Sequence, residues 1–433
     1  MIYDRDIETL TRDDMGQLQI ERLQATLNRV YTNVAFYHEA FDRAKVDIEQ
    51  VRTLDDIRRL PFTTREDLRA SYPYGMFAVP LRDIVRMHAT SGTTGKPIVT
   101  GYTRNDITLW SVLIARQLAA VDITEHDVVQ VSFNYGLFTG GLGFHYGAER
   151  IGASVIPASA AGGQVREQNL IMKDYKATVL AAMPSYGLAM ANLLDDMGIR
   201  PDELVVRCGV FGGEPWSEAL RGLLQEKLHI KAYDSYGVAE LLGPGVAGEC
   251  TEQKGLHVHD DHFIVEVIDP RSHEPVAPGA TGELVFTTIT KEGCPLVRYR
   301  TGDLASLVDG PCRCGRRLTR ISRVSGRTDN QIFFGGARFF PSQVQEVLLA
   351  VEGIEPDYEL VLAREGGAET LEVKVAISEG VPFDEVRKLV QYKTAVAEQL
   401  HKRLGITARV TFVEAASLRG RGAGKTGAVV DKR

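Results

Sequence analysis

Thr90-Ser91-Gly92-Thr93-Thr94-Gly95-Lys96-Pro97 is the stretch on which the reading of this chain turns. Glycines let backbone N–H groups come close to an anion, the hydroxyls of Ser91, Thr93 and Thr94 add donors, and Lys96 adds positive charge. A Walker loop would need Gly six residues before the lysine, where this chain has Thr90. It would also need Ser or Thr after the lysine, to reach magnesium and open a helix, and Pro97 stands there. Proline pushes the preceding residue toward extended geometry. The stretch therefore reads as a mobile phosphate-gripping loop, not the rigid strand-to-helix kind.

The sequence around the loop fits a large soluble enzyme. A chain of 433 residues exceeds what one core fills, so at least two domains are expected. Hydrophobic residues at 44% and charged residues at 25% indicate a globular protein. A net charge of −7 lacks the basic footprint of a general nucleic-acid binder. No apolar run is long enough to span a bilayer, and the start, Met1-Ile2-Tyr3-Asp4-Arg5-Asp6, lacks the basic and apolar segments of a signal peptide. A cytoplasmic location without membrane attachment is expected. Five cysteines, an odd and sparse set, argue against a disulfide framework.

The expected class is α/β. Residues 16–72 carry Leu18, Ile20, Leu23, Leu27 and Val30 near helical spacing and predict a helical cap. Across 85–250, short β-rich runs (Val128–Phe133, Thr178–Ala182, Leu204–Val210) alternate with helical stretches, which predicts βα units and parallel sheets. Within 255–326 the runs His262–Ile268, Gly282–Thr290 and Ala305–Val308 crowd together, predicting a more antiparallel, barrel-like region. Residues 1–326 thus form a large domain, 327–330 a hinge, and 331–433 a small, mobile α+β domain with helices near Ser342–Ala350 and Val386–Leu404. Gly422-Ala423-Gly424-Lys425-Thr426-Gly427 matches a dinucleotide fingerprint, but the six residues after it cannot complete a βαβ unit.

Further motifs follow the loop in order. They are Tyr135-Gly136-Leu137-Phe138-Thr139-Gly140-Gly141-Leu142-Gly143, Gly212-Gly213-Glu214-Pro215, Ser235-Tyr236-Gly237-Val238-Ala239-Glu240, Arg298-Tyr299-Arg300-Thr301-Gly302-Asp303 and Gly326-Arg327-Thr328-Asp329. With Asn33–Tyr37, Leu60–Thr63 and the leading His88, the chain resembles, over nearly its whole length, the phenylacetate–CoA ligase family of the adenylate-forming superfamily.

The resemblance implies that a carboxylic acid, ATP and CoA become acyl-CoA, AMP and pyrophosphate through an acyl-adenylate. Ser91, Gly92, Thr93, Thr94, Gly95 and Lys96 would grip the β- and γ-phosphates, and Glu240 would bind Mg²⁺. Asp303 would hold the ribose hydroxyls. Gly213, Glu214, Pro215, Asp234 and Tyr236 would line the adenine pocket, with Arg327 at the ribose or phosphate edge. Tyr135, Gly136, Phe138 and Gly141 would form an aryl-acid pocket. Lys425 would reach the reacting carboxylate and α-phosphate, and Asp329 would be the hinge. A homodimer is compatible with the family. Two rivals remain: an adenylating enzyme that passes the acyl group to an amine or carrier protein, and a non-catalytic nucleotide-binding protein of the same fold.

Cys250, His257, Cys312 and Cys314 offer three thiolates and an imidazole, the set of a closed tetrahedral zinc site, with His259 and His262 as competing ligands. Some members of the family carry a structural zinc on a similar pattern. Cys208 and Cys294 read as plain buried residues. One segment departs from the family. Relatives read Arg-Gly-Val-Asn-Val-Phe-Pro where this chain has Gly335-Gly336-Ala337-Arg338-Phe339-Phe340-Pro341, on the part of the chain that faces the acyl acceptor. The glycine-rich run Arg419–Gly424 predicts a mobile loop before Lys425.

Overall fold

A computed structural model describes residues 1–90, 96–160, 164–351, 354–365, 368–377, 386–418 and 428–433. Ser91–Gly95 and Lys425, with the loop that precedes it, lie outside these residues. The chain divides into two compact units. One comprises Met1–Ala182, Asp202–Gly213 and Lys231–Arg323; the other comprises Met183–Pro201, Glu214–Ile230 and Val324–Arg433.

The first unit is built on a nine-stranded sheet. Its parallel part runs Ser154–Ile156, Val128–Val131, Val179–Ala182, Cys208–Gly212, Lys231–Val238. The central strands Val179–Ala182 and Cys208–Gly212 are buried at every position, as a parallel sheet covered on both faces buries successive side chains alike. The strand expected at Leu204–Val210 begins only at Cys208, after a short 3₁₀ turn at Pro201–Glu203. Gly243 has φ +90°, and the chain reverses there. Gly243–Glu249 then pairs antiparallel with Lys231–Val238, followed outward by Leu256–Val258, Arg320–Ile321 and Leu307–Val308.

The β-rich region is therefore shared. Phe263–Ile268, Gly282–Thr288 and Tyr299–Ala305 form a separate antiparallel sheet. The run Ala305–Val308, expected as one strand, splits between the two sheets.

The N-terminal helix Arg12–Asn33 is capped by Thr11, whose hydroxyl accepts from the Asp14 N–H. It buries Met15, Leu23, Leu27 and Val30, while Leu18 and Ile20 flank this stripe half-buried. Helix Arg104–Ala120 is buried from Leu113 to Ala120, including Arg116, which pairs there with Asp261 and Asp4. Helix Gly140–Arg150 packs against it at close range: a Cβ on Gly147 would fall 2.1 Å from Ile114 Cγ2, and one on Gly143 2.9 Å from Trp110. These two glycines serve backbone approach.

The second unit holds a four-stranded sheet in the order Arg409–Val413, Ala368–Ile377, Ile354–Glu365, Ala428–Asp431. Its central pair is antiparallel and its outer pairs parallel. Helices Pro341–Leu349 and Val386–Leu404 enclose its core, in which Phe339, Leu348, Leu360, Val373 and Leu400 are buried. The unit also takes in helices Pro184–Leu193 and Glu218–Leu228, which the sequence reading placed in the large domain. Leu220, Leu224 and Leu228 give the second of these an apolar stripe, and it packs against both Pro184–Leu193 and Pro341–Leu349. The departing segment is a hairpin, Ile332–Phe334 with Ala337–Phe339. Gly335 and Gly336 have φ of +58° and +84°, as a two-residue turn with both central residues left-handed requires.

Candidate active site

The phosphate loop hangs between two antiparallel strands, Arg86–Ala89 and Val99–Tyr102. Thr90 N–H donates to the Ile98 carbonyl at 3.0 Å, and Ile98 N–H donates to Thr90 Oγ1 at 3.1 Å, so the loop's two ends are pinned together. No helix follows Lys96, which is exposed, its Nζ 5.6 Å from the centre of the Tyr72 ring. The expected acid-binding segment docks on the same hairpin. The Leu137 carbonyl accepts from the Ala89 N–H at 3.2 Å and from His88 Nδ1 at 3.0 Å. That bond fixes the proton of a neutral His88 on Nδ1, and burial holds this imidazole below its ordinary pKa. Leu137 and Phe138 are adjacent and exposed, so this segment presents apolar surface to solvent. The Tyr135 hydroxyl lies 3.2 Å from His145 Nδ1. Gly136 is exposed and Gly141 buried, its Cβ position 2.7 Å from the Asn134 carbonyl oxygen.

Glu240 is 4% exposed, and its Oε1 has no hydrogen-bond partner among the described residues. Arg65 stands 3.8 Å from that oxygen. A buried carboxylate oxygen without a donor is costly unless something positive meets it, so the residue fits a hard cation. A small cavity lined by Thr100, Glu240, Cys294 and Leu296 lies beside it. The Glu240 backbone is tied to the strand that leaves the phosphate loop. Tyr102 donates to the Ala239 carbonyl at 3.4 Å, and Lys291 Nζ donates both to Thr100 Oγ1 at 2.8 Å and to the Glu240 carbonyl at 3.1 Å. Sequence reasoning missed Arg65 and Lys291. Each is a single basic residue outside the family motifs, and no local pattern announces its burial or reach.

Asp303, also buried, accepts from the Tyr236 hydroxyl at 2.8 Å on Oδ2. Tyr236 in turn stacks on Phe286 at 6.0 Å, so the motifs ending at Glu240 and Asp303 are joined by a hydrogen bond. Asp234 is held in an ion pair with Arg323 at 3.0 Å. Gly213, with φ +87°, is exposed at the end of its strand. In the second unit, Pro215 is exposed and Glu214 accepts from the Ser185 N–H at 2.7 Å, anchoring the start of helix Pro184–Leu193 with a carboxylate where the helix dipole favours one. Arg327 and Asp329 form a bidentate pair at 3.0 and 3.3 Å inside a turn closed by Asn330, whose side chain accepts from the Arg327 N–H.

The four expected metal ligands converge, their ligand atoms all within 4.8 Å of one another. Cys250 Sγ lies 3.7 Å from Cys312 Sγ, and Cys314 Sγ lies 3.5 Å from His257 Nε2. A tetrahedral centre with Zn–S near 2.3 Å and Zn–N near 2.05 Å would place such pairs about 3.8 and 3.6 Å apart, so the donor set fits zinc. Of the competing histidines, His262 is engaged by Asp261 and Thr290, and His259 is buried beside Arg116 and Asp261.

No helix of the described residues is long and apolar enough to cross a membrane. Comparison with known proteins places these features in a family. Residues 15–290 match the AMP-binding enzyme family, and 336–433 match the AMP-binding enzyme C-terminal domain. The phenylacetate-coenzyme A ligase of Thermus thermophilus is 41% identical over 448 residues, covering 100% of both chains. That of Pseudomonas putida is 43% identical over 430 residues, covering 99% of this chain and 96% of the other. Among solved structures, a 2-hydroxyisobutyryl-CoA ligase in the postadenylation state superimposes with a TM-score of 0.93 at 25% identity, covering 100% of this chain and 92% of the other. The protein is a member of the phenylacetate–CoA ligase family of AMP-binding enzymes.

Proposed function

We propose that the protein is an AMP-forming aryl-acid–CoA ligase. A carboxylate is a poor electrophile, so the acid's oxygen first attacks the α-phosphate of ATP and pyrophosphate leaves. The thiolate of CoA then attacks the acyl carbonyl, and AMP leaves with one of the acid's original oxygens. Ser91–Lys96 hold the outgoing phosphates. Asp303, fixed by Tyr236, takes the ribose hydroxyls; Gly213, Glu214, Pro215 and Asp234 frame the adenine; Arg327 meets the ribose or phosphate edge. Glu240 would hold Mg²⁺, whose positive charge would let the two anions approach. The observation that carries this reading is the Glu240 carboxylate, buried, with an oxygen that accepts no hydrogen bond among the described residues, and tied through backbone contacts to the strand leaving the phosphate loop.

The aryl preference rests on Tyr135 and the exposed Phe138 beside the same hairpin, with open space at Gly136 and with Gly141 letting its helix start close against the Asn134 carbonyl. Phenylacetate and benzoate analogues are expected to give faster CoA-dependent AMP release than acetate or palmitate. A preference for acetate or palmitate in that assay would overturn the aryl assignment and leave the adenylation chemistry standing.

Cys250, His257, Cys312 and Cys314 are proposed to hold a structural zinc that fastens the loop after Gly243–Glu249 to the loop before Arg320–Ile321. Purified protein is expected to carry about one zinc per chain. Cys312→Ser should remove it and lower the melting temperature more than it lowers turnover per folded molecule. Metal analysis of carefully prepared protein that finds no zinc would contradict the assignment.

A further inference from the structure

Lys291 is a buried ammonium, 2% exposed, with no carboxylate in ion-pair range among the described residues. Burying an ammonium without an ion pair costs several kcal/mol, which a packing role alone does not explain. Its hydrogen bonds go to Thr100 Oγ1 at 2.8 Å and to the Glu240 carbonyl at 3.1 Å, and its Nζ stands 4.8 Å from the centre of the Tyr102 ring. Thr100 and Tyr102 lie on the strand leaving the phosphate loop. The residues after Lys291 are themselves clamped. Asp106, at the start of helix Arg104–Ala120, accepts from the Glu292 N–H at 2.7 Å and from the Gly293 N–H at 2.9 Å. Glu292 accepts from Thr103 Oγ1 at 2.9 Å. Lys291 therefore projects from a rigid base and bridges two parts of the site whose relative placement matters: the phosphate loop's exit strand and the backbone that carries the Glu240 carboxylate.

We propose that Lys291 is a positioning residue for adenylation, which fixes Glu240 against the phosphate-loop hairpin so that the carboxylate meets the metal–nucleotide already oriented. The proposal rests on the reading of Glu240 as the Mg²⁺ ligand. Lys291 donates to the Glu240 backbone carbonyl, so the positioning argued here runs through the Glu240 main chain. Outer-shell partners of metal ligands typically change metal affinity by about 10- to 100-fold when removed.

The test uses the full chain as Lys291→Met and Thr100→Val, the second removing the same hydrogen bond with little change of shape. Two quantities are read: Mn²⁺ affinity in the presence of a non-hydrolysable ATP analogue, from the paramagnetic resonance of free Mn²⁺, and the Mg²⁺ dependence of acid-dependent pyrophosphate release. Lys291→Met is expected to weaken Mn²⁺ binding and to raise the half-saturating Mg²⁺ by about 10- to 100-fold. Thiolysis of supplied acyl-adenylate by CoA should stay within about twofold of the parent, since losing metal placement bears on the first half-reaction. Thr100→Val should show a smaller shift in the same direction, since it removes one of the two Lys291 bonds, and combining it with Lys291→Met should add little, because the bond it removes is already absent there. If Lys291→Met does not fold, the Thr100→Val shift decides alone. Parental Mn²⁺ affinity and Mg²⁺ dependence in a folded Lys291→Met, or in Thr100→Val where only that variant folds, would overturn the proposal. Glu240→Gln separates the two readings: if it too keeps parental Mn²⁺ affinity, the assignment of Glu240 fails and the role of Lys291 fails with it.

Discussion

Replacing Glu240 by Gln is expected to lower acid-dependent pyrophosphate release by on the order of 10²–10³, the loss typical when one stabilising group is removed from a developing charge. The change preserves shape, so the fold and melting temperature should hold. What it removes is the negative charge on a side chain that is 4% exposed. In the parent, Oε1 accepts no hydrogen bond among the described residues, and Arg65 stands 3.8 Å from it. A carboxamide could still reach toward Arg65 with its oxygen but is a far poorer ligand for Mg²⁺. The deficit should therefore shrink at high Mg²⁺ while thiolysis of supplied acyl-adenylate is spared. Near-parental pyrophosphate release at low Mg²⁺ would mean that another residue holds the metal.

The second large effect separates the two half-reactions. Lys425 occupies the position that the family resemblance assigns to the lysine reaching the carboxylate and α-phosphate, and its ammonium is a compact charge on a flexible stem. Lys425→Ala is expected to lose adenylation by about 10²–10³ yet to convert supplied acyl-adenylate and CoA to thioester. Asp329→Pro should do the reverse. A hinge residue absorbs a large backbone change, and proline fixes φ near −65°. The substitution also removes the pair with Arg327, so Asp329→Ala is the control. It breaks the pair but leaves the backbone free, and it should retain most of the thioester step. The two steps are measured separately, with synthetic acyl-adenylate for the second. Equal impairment of both halves by Lys425→Ala and by Asp329→Pro would argue against alternating use of the C-terminal domain.

The sequence carried the order of the motifs, the parallel strands and the grouping of Cys250, His257, Cys312 and Cys314, because each rests on spacing or on runs that burial forces to be apolar. Elsewhere burial and long-range contact decided. Nothing local distinguishes Leu204–Arg207 from a strand, yet the ladder begins only where Cys208 meets Val179 and Lys231 on its neighbours. The glycine-rich stretch after Tyr135 reads as one pocket motif, but Gly143 and Gly147 answer to Trp110 and Ile114 on the neighbouring helix. Glu214 reads as part of an adenine pocket, and the Ser185 N–H it receives lies 29 residues away. Lys291 looks like any surface lysine until Thr100, 191 residues distant, is seen beside it.

The central claim, an acyl-adenylate followed by transfer to CoA, is tested most directly by following oxygen. Phenylacetate labelled with ¹⁸O in its carboxylate is incubated with ATP, Mg²⁺, CoA and the full-length protein, and the products are weighed by mass spectrometry. The account predicts phenylacetyl-CoA together with AMP that carries one labelled oxygen from the acid. Label in inorganic phosphate with ADP as the nucleotide product, or labelled AMP with no CoA thioester, would contradict it.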